Sequence, residues 1–335
     1  MATEPPALLQ SAESRVSAAT PLPRRIKVGE LLPGEPQLEI AADVFLPQQL
    51  PASPIALFCL PGGALARGYY DLQAEGDFSF AAHMVAQGYL VVTLDPLGVG
   101  DSSRPRDGFE LTPDLVAAAN ARAFDAIRAE LVGGRLTGTP LTHLRTVGVG
   151  HSMGAMLTLM QQAHHGGHAA LALFGFSTQG LTAALSAEER AFAGDPAGAR
   201  ANLVRLARLR SADPYPLIAR TEQGRELFAG DAADRRGVEA LNRVRANLLL
   251  TCGLFSMIPG SCAPECARID VPLLLAFGDR DMAGPPHRVP ADYPASPDVT
   301  LTVLPATGHA HFLFDSRRHL FERMHSWCEA ILPEG

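Results

Sequence analysis

Short apolar runs, each closed by a glycine, a proline or an acidic turn, recur along the chain with room for a helix between them. Runs at 38–46, 55–60, 89–94, 144–149, 171–176, 271–277 and 299–304 read as strands. The first alternates loosely and ends at a proline. The others are nearly continuous in apolar residues, the pattern of strands covered on both faces in a parallel sheet. Helical patterns fall at 78–87, after Ser152, and at 311–331. Another should run from Thr112 to about Leu131, with Thr112 as N-cap, Pro113 at the first helical position and Asp114 in the first turn. Strands alternating with helices imply an α/β fold: a mostly parallel central sheet flanked by helices.

The pattern is interrupted once. Residues 178–268 show no clear strand, are rich in Ala, Leu, Arg and Glu, and break at 194–196, 214–216 and Gly230. This reads as a helical cap inserted between two core strands, with 26–177 and 269–335 forming the core. Residues 1–25 carry Ala, Pro and Ser with scattered charge and no apolar export segment. They read as a flexible leader, with a strand or arm packed on the domain as the alternative.

Composition agrees with one large domain or two ordinary ones: 335 residues, 47% of them apolar and 19% charged. A net charge of −7 supplies no excess of cations to neutralise phosphates and does not favour a non-specific nucleic-acid binder. Lys27 is the only lysine. The longest apolar stretch, near 246–259, is too short to span a membrane. Five cysteines, an odd count in a large chain, suit a reducing compartment and hence the cytoplasm. Cys262 and Cys266 are the only close pair. With no neighbouring His or second pair to complete a zinc set, they read as two thiols rather than a metal site or a disulfide.

The strongest local signal is Gly150-His151-Ser152-Met153-Gly154, a G-x-S-x-G pattern between a strand and a helix. Glycines two residues either side of the serine let neighbouring backbone approach a sharp turn, which lifts the hydroxyl into the open at a helix N-terminus. The competing reading is a structural turn whose serine only caps the helix.

With this motif the chain resembles the α/β-hydrolase superfamily over about residues 36–332. Leu60-Pro61-Gly62-Gly63 resembles the family's oxyanion loop, and residues 95–102 its D-x-x-G-x-G-x-S segment. Gly278-Asp279-Arg280-Asp281 and Gly308-His309 resemble the segments carrying the acid and the histidine. The order Ser, Asp, His is that of the fold. The insertion also lies where members commonly carry a helical cap.

Ser152 is then the expected nucleophile and His309, after a strand and a glycine turn, its base. His311 is the rival base, or a residue lining the site or capping the last helix. His164, His165 and His168 read as a solvent-facing turn. Asp279 and Asp281 both follow the strand that ends at Phe277, so position does not separate them. The resemblance implies Asp281 as the orienting acid and leaves Asp279 as a turn acid and the alternative. It also implies that Asp95 is structural. The oxyanion donors should be the amides of Met153 and Gly63, with Ala64 as alternative to Gly63, because Pro61 stands where the family commonly has the histidine of His-Gly.

This constellation predicts acyl transfer through an acyl-enzyme, with no metal and no cofactor. A nicotinamide site is disfavoured because Ser103 replaces the third glycine after Gly98-Val99-Gly100. An aspartate-nucleophile dehalogenase or epoxide hydrolase is disfavoured by Ser152 itself. His151, Tyr69, Tyr70 and Phe255 are candidate pocket residues. The apolar segment 248–258 suits a cap or tunnel lining, or equally a helix packed on the core. The expected partner is a small-molecule substrate, a carboxylic ester with an apolar part. Thioester, lactone or amide cleavage and acyl transfer use the same machinery, and a non-catalytic binding protein on this fold is the reading from a different class.

Overall fold

The computed structural model describes residues 20–333 apart from 220, 223–225 and 227. Eight strands form one sheet: β1 (Leu22–Lys27), β2 (Glu39–Phe45), β3 (Ile55–Leu60), β4 (Leu90–Leu94), β5 (Arg145–His151), β6 (Ala170–Phe174), β7 (Leu273–Gly278) and β8 (Val299–Leu304). Their spatial order is β1-β2-β4-β3-β5-β6-β7-β8. β2 runs antiparallel to β1 and β4, and every other pair is parallel. The chain begins its sheet earlier than the leader reading places it. Leu22–Lys27 pairs along β2, so the packed-strand alternative holds for residues 22–25, and residues 1–19 lie outside the described residues.

The helices are α1 (Phe80–Ala86), α2 (Pro113–Val132), α3 (Met153–His165), α4 (Ala187–Arg190), α5 (Pro196–Arg210), α6 (Arg235–Arg243), α7 (Leu250–Met257), α8 (Ala263–Cys266) and α9 (Arg317–Ile331). α2 starts as its sequence demands: the Thr112 hydroxyl accepts from Leu115 N–H, and Pro113 opens the helix. The interior strands β3, β4, β6 and β7 are buried at every residue, and successive side chains enter opposite cores. Leu57 and Phe174 face the core of α1 and α9. Phe58 and Leu173 face the core of α2 and α3. The insertion between β6 and β7 carries α4 to α8 and is helical throughout its regular elements, apart from one bridge between Leu65 and Arg245.

The final helix is shorter than its hydrophobic pattern suggests. A 3₁₀ turn at His311–Leu313 comes first, Phe314 is extended, and α9 starts at Arg317. This break frees His311 from the helix and turns it toward the sheet's carboxyl edge.

Candidate active site

The serine turn forms where β5 meets α3, and its strain is visible. Ser152 has φ of 54°, rare for a residue with a side chain. Both flanking glycines are required by close approach. A Cβ on Gly150 would stand 2.4 Å from Ala155 Cα, and one on Gly154 would stand 2.2 Å from the Leu60 carbonyl oxygen. Glycine therefore seats α3 against the end of β3, the strand that leads into the loop at Pro61.

Three groups from three strand ends meet at this turn. His309 Nε2 lies 2.8 Å from Ser152 Oγ, and His309 Nδ1 lies 2.7 Å from Asp281 Oδ1. Asp281 and His309 are buried, with side-chain exposure of 0% and 1%. Burial pushes the Asp281 carboxyl up, but the charge and hydrogen bonds of His309 and His311 outweigh it and hold the group well below the usual carboxylate range. Asp279 is turned away. It accepts the backbone N–H groups of Ala306 at 2.9 Å and Thr307 at 3.0 Å, which tightens the turn that presents His309.

Gly63 and Met153 lie side by side: a Cβ on Gly63 would be 3.7 Å from the Met153 sulfur. The loop is held by the cap, since Ala246 N–H donates to the Ala64 carbonyl and Ala66 N–H to the Val244 carbonyl, both at 2.9 Å. Asp95 accepts from the backbone N–H groups of Arg67 and Asp101 and pairs with the Arg67 guanidinium, so it braces the loop after β4.

Several candidate pocket residues lie elsewhere. Tyr69 and Tyr70 sit on a 3₁₀ turn at Arg67–Asp71 that tucks both rings under the site, fully buried. Tyr69 stacks on Phe312 with centroids 4.7 Å apart, and Tyr70 donates to the Leu60 carbonyl at 2.9 Å. Phe255 is buried in the core beneath α7, with the Arg200 guanidinium over its ring. Leu249, Leu250, Leu254 and Ile258 join the same core, so most of the 248–258 segment is packing. His151 is buried behind Ser152 and His309, where Nε2 donates to the His309 carbonyl at 2.8 Å. Desolvation, then the neighbouring imidazoles, hold it neutral, well below the usual histidine range.

A small, partly open pocket beside Ser152 and His309 is lined by Gly175, Ser177, Gly180, Ser256, Met282 and Ala283, among others. Gly175 was not legible as a site residue. A Cβ there would stand 3.0 Å from Asp281 Oδ2 and 3.1 Å from His309 Cε1, so only glycine leaves the pair room. Phe228 of the cap packs its ring 5.5 Å from that of His309, and its carbonyl accepts the Ala310 N–H.

His164 and His165 end α3 and His168 follows it, and the three are not a uniform solvent-facing turn. His168 is buried between Phe58 and Phe124, and desolvation lowers it to about 3. His164 lies 3.2 Å from Glu265 and 3.8 Å from Asp114, a set of side chains able to ligate a metal. A cation already bridges the two acids: Arg200 reaches both at 2.8 Å, which ties α5 of the cap to α2 and α8. All five cysteines are unpaired and buried.

The model of the alpha/beta hydrolase family matches residues 57–323. The chain belongs to the alpha/beta hydrolase family. As an alpha/beta hydrolase it shares its fold with solved structures of low sequence identity. A thermophilic esterase from Thermogutta terrifontis superposes with a TM-score of 0.61 at 14% identity, covering 92% of this chain and 99% of that one. A bromoperoxidase from Bacillus anthracis gives 0.58 at 15%, covering 93% and 100%. A proline iminopeptidase from Mycobacterium smegmatis gives 0.58 at 18%, covering 92% and 98%. No curated protein matches the sequence. Among the described residues, no helix of this hydrolase is long and apolar enough to cross a membrane.

Proposed function

We propose that this hydrolase cleaves carboxylic esters through an acyl-enzyme, with Ser152 as nucleophile, His309 as general base and acid, and Asp281 as the orienting carboxylate. The observation that carries the reading is the unbroken hydrogen-bond line from Asp281 through His309 to Ser152 Oγ, 2.7 and 2.8 Å long. Ser152 Oγ attacks the carbonyl carbon while its proton passes to His309 Nε2. The Met153 and Gly63 amides receive the oxyanion. His309 returns the proton to the departing alkoxide, then deprotonates the water that releases the acid. The substrate group beside Ser152 is short, since Gly175, Ser177, Met282 and Ala283 wall the pocket there closely. Five unpaired, buried thiols favour a cytoplasmic site of action.

The test is turnover of matched p-nitrophenyl esters, thioesters and anilides by the wild type and by Ser152→Ala. Ester cleavage that vanishes in the variant supports the assignment. A preference for thioester or anilide over the matched ester moves the substrate class while keeping the serine mechanism. Equal turnover in both proteins removes Ser152 from the reaction.

A further inference from the structure

Asp281 serves two histidines. Its Oδ1 accepts His309 Nδ1–H at 2.7 Å and the Ala283 backbone N–H at 2.9 Å. Its Oδ2 accepts His311 Nε2–H, also at 2.7 Å, and the side chains of both residues are sealed from solvent. With the proton on Nε2, His311 Nδ1 is a bare acceptor, and it has no partner among the described residues. Burying an unpaired acceptor is unfavourable, and an apolar side chain would fill the same space without that cost. The bond to Asp281 is the one polar contact of the His311 ring among the described residues.

We propose that His311 is a positioning residue for the acid of the triad: by holding Oδ2 it fixes the rotation of the Asp281 carboxylate, so that Oδ1 stays directed at His309. No bond forms or breaks at His311 and no proton leaves it. His311 also draws charge from the carboxylate, which moderates how tightly Asp281 holds a proton on His309 during the reaction. The kinetic part rests on the serine-hydrolase reading. The shared carboxylate does not.

The groups facing the pair come from several elements. His151 at the end of β5 has its ring 4.8 Å from that of His309 and 5.6 Å from that of His311. Tyr69 of the 3₁₀ turn packs on the far side of His151, with centroids 4.8 Å apart. Phe174 of β6 and Phe228 of the cap supply apolar faces. Asp281 is the only carboxylate bonded to either His309 or His311 among the described residues.

The test compares His311→Gln, whose amide N–H can replace Nε2–H, with His311→Leu, which cannot donate. His311→Leu should lose about 10–100-fold in kcat with KM little changed. The acid limb of its kcat/KM profile should move to higher pH, because a carboxylate lacking one donor holds the His309 proton more tightly. His311→Gln should keep the wild-type limb and stay within about 3-fold in kcat, since the charge-assisted donor is retained. A residue that only fills space would give a His311→Leu enzyme with wild-type kcat and an unshifted limb, or a His311→Gln enzyme as impaired as His311→Leu. Either result overturns the proposal. A second readout needs no substrate. In ¹⁵N-histidine-labelled wild type, besides the His151 Nε2–H that bonds a carbonyl, two low-field imidazole N–H resonances should appear, one lost in His311→Gln and the other in His309→Gln. A wild type with no low-field resonance that disappears in His311→Gln overturns the shared carboxylate. If no ester is turned over, the functional reading fails and the resonance lost in His311→Gln alone decides the proposal.

Discussion

His151 donates its Nε2–H to the backbone carbonyl of His309 at 2.8 Å, so the residue before the candidate nucleophile holds the main chain of the candidate base. A neutral ring is needed for nothing else to be stranded there: a second proton on Nδ1 would be a buried donor without a partner among the described residues. His151→Leu should fold, lose about 1–3 kcal/mol of stability from the unpaired His309 carbonyl, and lower kcat by displacing the His309 ring. Urea unfolding and steady-state kinetics check both.

Two buried histidines make the fold sensitive to mild acid. The folded-state values of His151 and His168 lie below the ordinary 6.5, that of His168 at about 3. A depressed value means that the unfolded chain binds the proton first. Their stabilisation is therefore complete above about pH 6.5 and is lost as pH falls through the window down toward 3 for His168. Each histidine should remove about 1.4 kcal/mol per pH unit inside its window. His168→Leu should flatten the dependence of unfolding free energy on pH between 6 and 5 by about that one-proton slope, as measured by urea titration at each pH. An unchanged slope would show that His168 is not the group titrating.

The two acids after β7 separate by experiment. Asp281→Asn should leave the fold intact and cost about 10⁴-fold in kcat, because an amide does not hold the imidazole in the productive tautomer. Asp279→Asn should leave kcat within a few fold and cost about 1 kcal/mol, the loss of a charged acceptor for two backbone amides on an exposed turn. Steady-state kinetics with thermal unfolding of both variants decides between them.

Gly154→Ala tests the elbow's packing. The added methyl would meet the Leu60 carbonyl oxygen at 2.2 Å and that of Pro61 at 2.4 Å, both backbone atoms that cannot swing aside. The variant should be destabilised by about 3 kcal/mol or more, or fail to accumulate. A soluble variant of wild-type stability would contradict the geometry.

What was legible in the sequence was local. Strands buried on both faces leave continuous apolar runs, and the elbow needs its two glycines within five residues, so a linear reading reaches both. The residues it misplaced are decided by three-dimensional approach. Tyr69 and Tyr70 follow the candidate oxyanion loop, but the turn at Arg67–Asp71 folds them beneath it. Phe255 sits on an apolar helix whose neighbour Ser256, rather than the ring, reaches the cavity. The bond between His311 and Asp281 spans thirty residues and depends on the break before α9, which the helical pattern of 311–331 conceals. The hold of the cap on the loop after Pro61 joins Ala64 to Ala246, and no periodicity encodes it.

Gly175, Met282 and Ala283 wall the pocket beside Ser152, which favours a short acyl chain. Acetyl and butyryl esters of p-nitrophenol should be turned over with higher kcat/KM than the dodecanoyl ester, by about 5–100-fold, the range that overfilling a packed site costs. Met282→Ala, which removes a wall of that cavity, should narrow the gap. A preference for the long chain would place the acyl group elsewhere.

The most direct test of the central claim is intact-mass analysis of protein quenched during turnover of an activated short-chain ester, whose fast leaving group makes deacylation limiting, followed by peptide mapping. Ser152 in a strained turn, 2.8 Å from His309, predicts a mass increase equal to one acyl group, located on Ser152 and absent from Ser152→Ala. Hydrolysis with no acyl adduct under conditions where deacylation is limiting, or an adduct that persists in the variant, would contradict the mechanism.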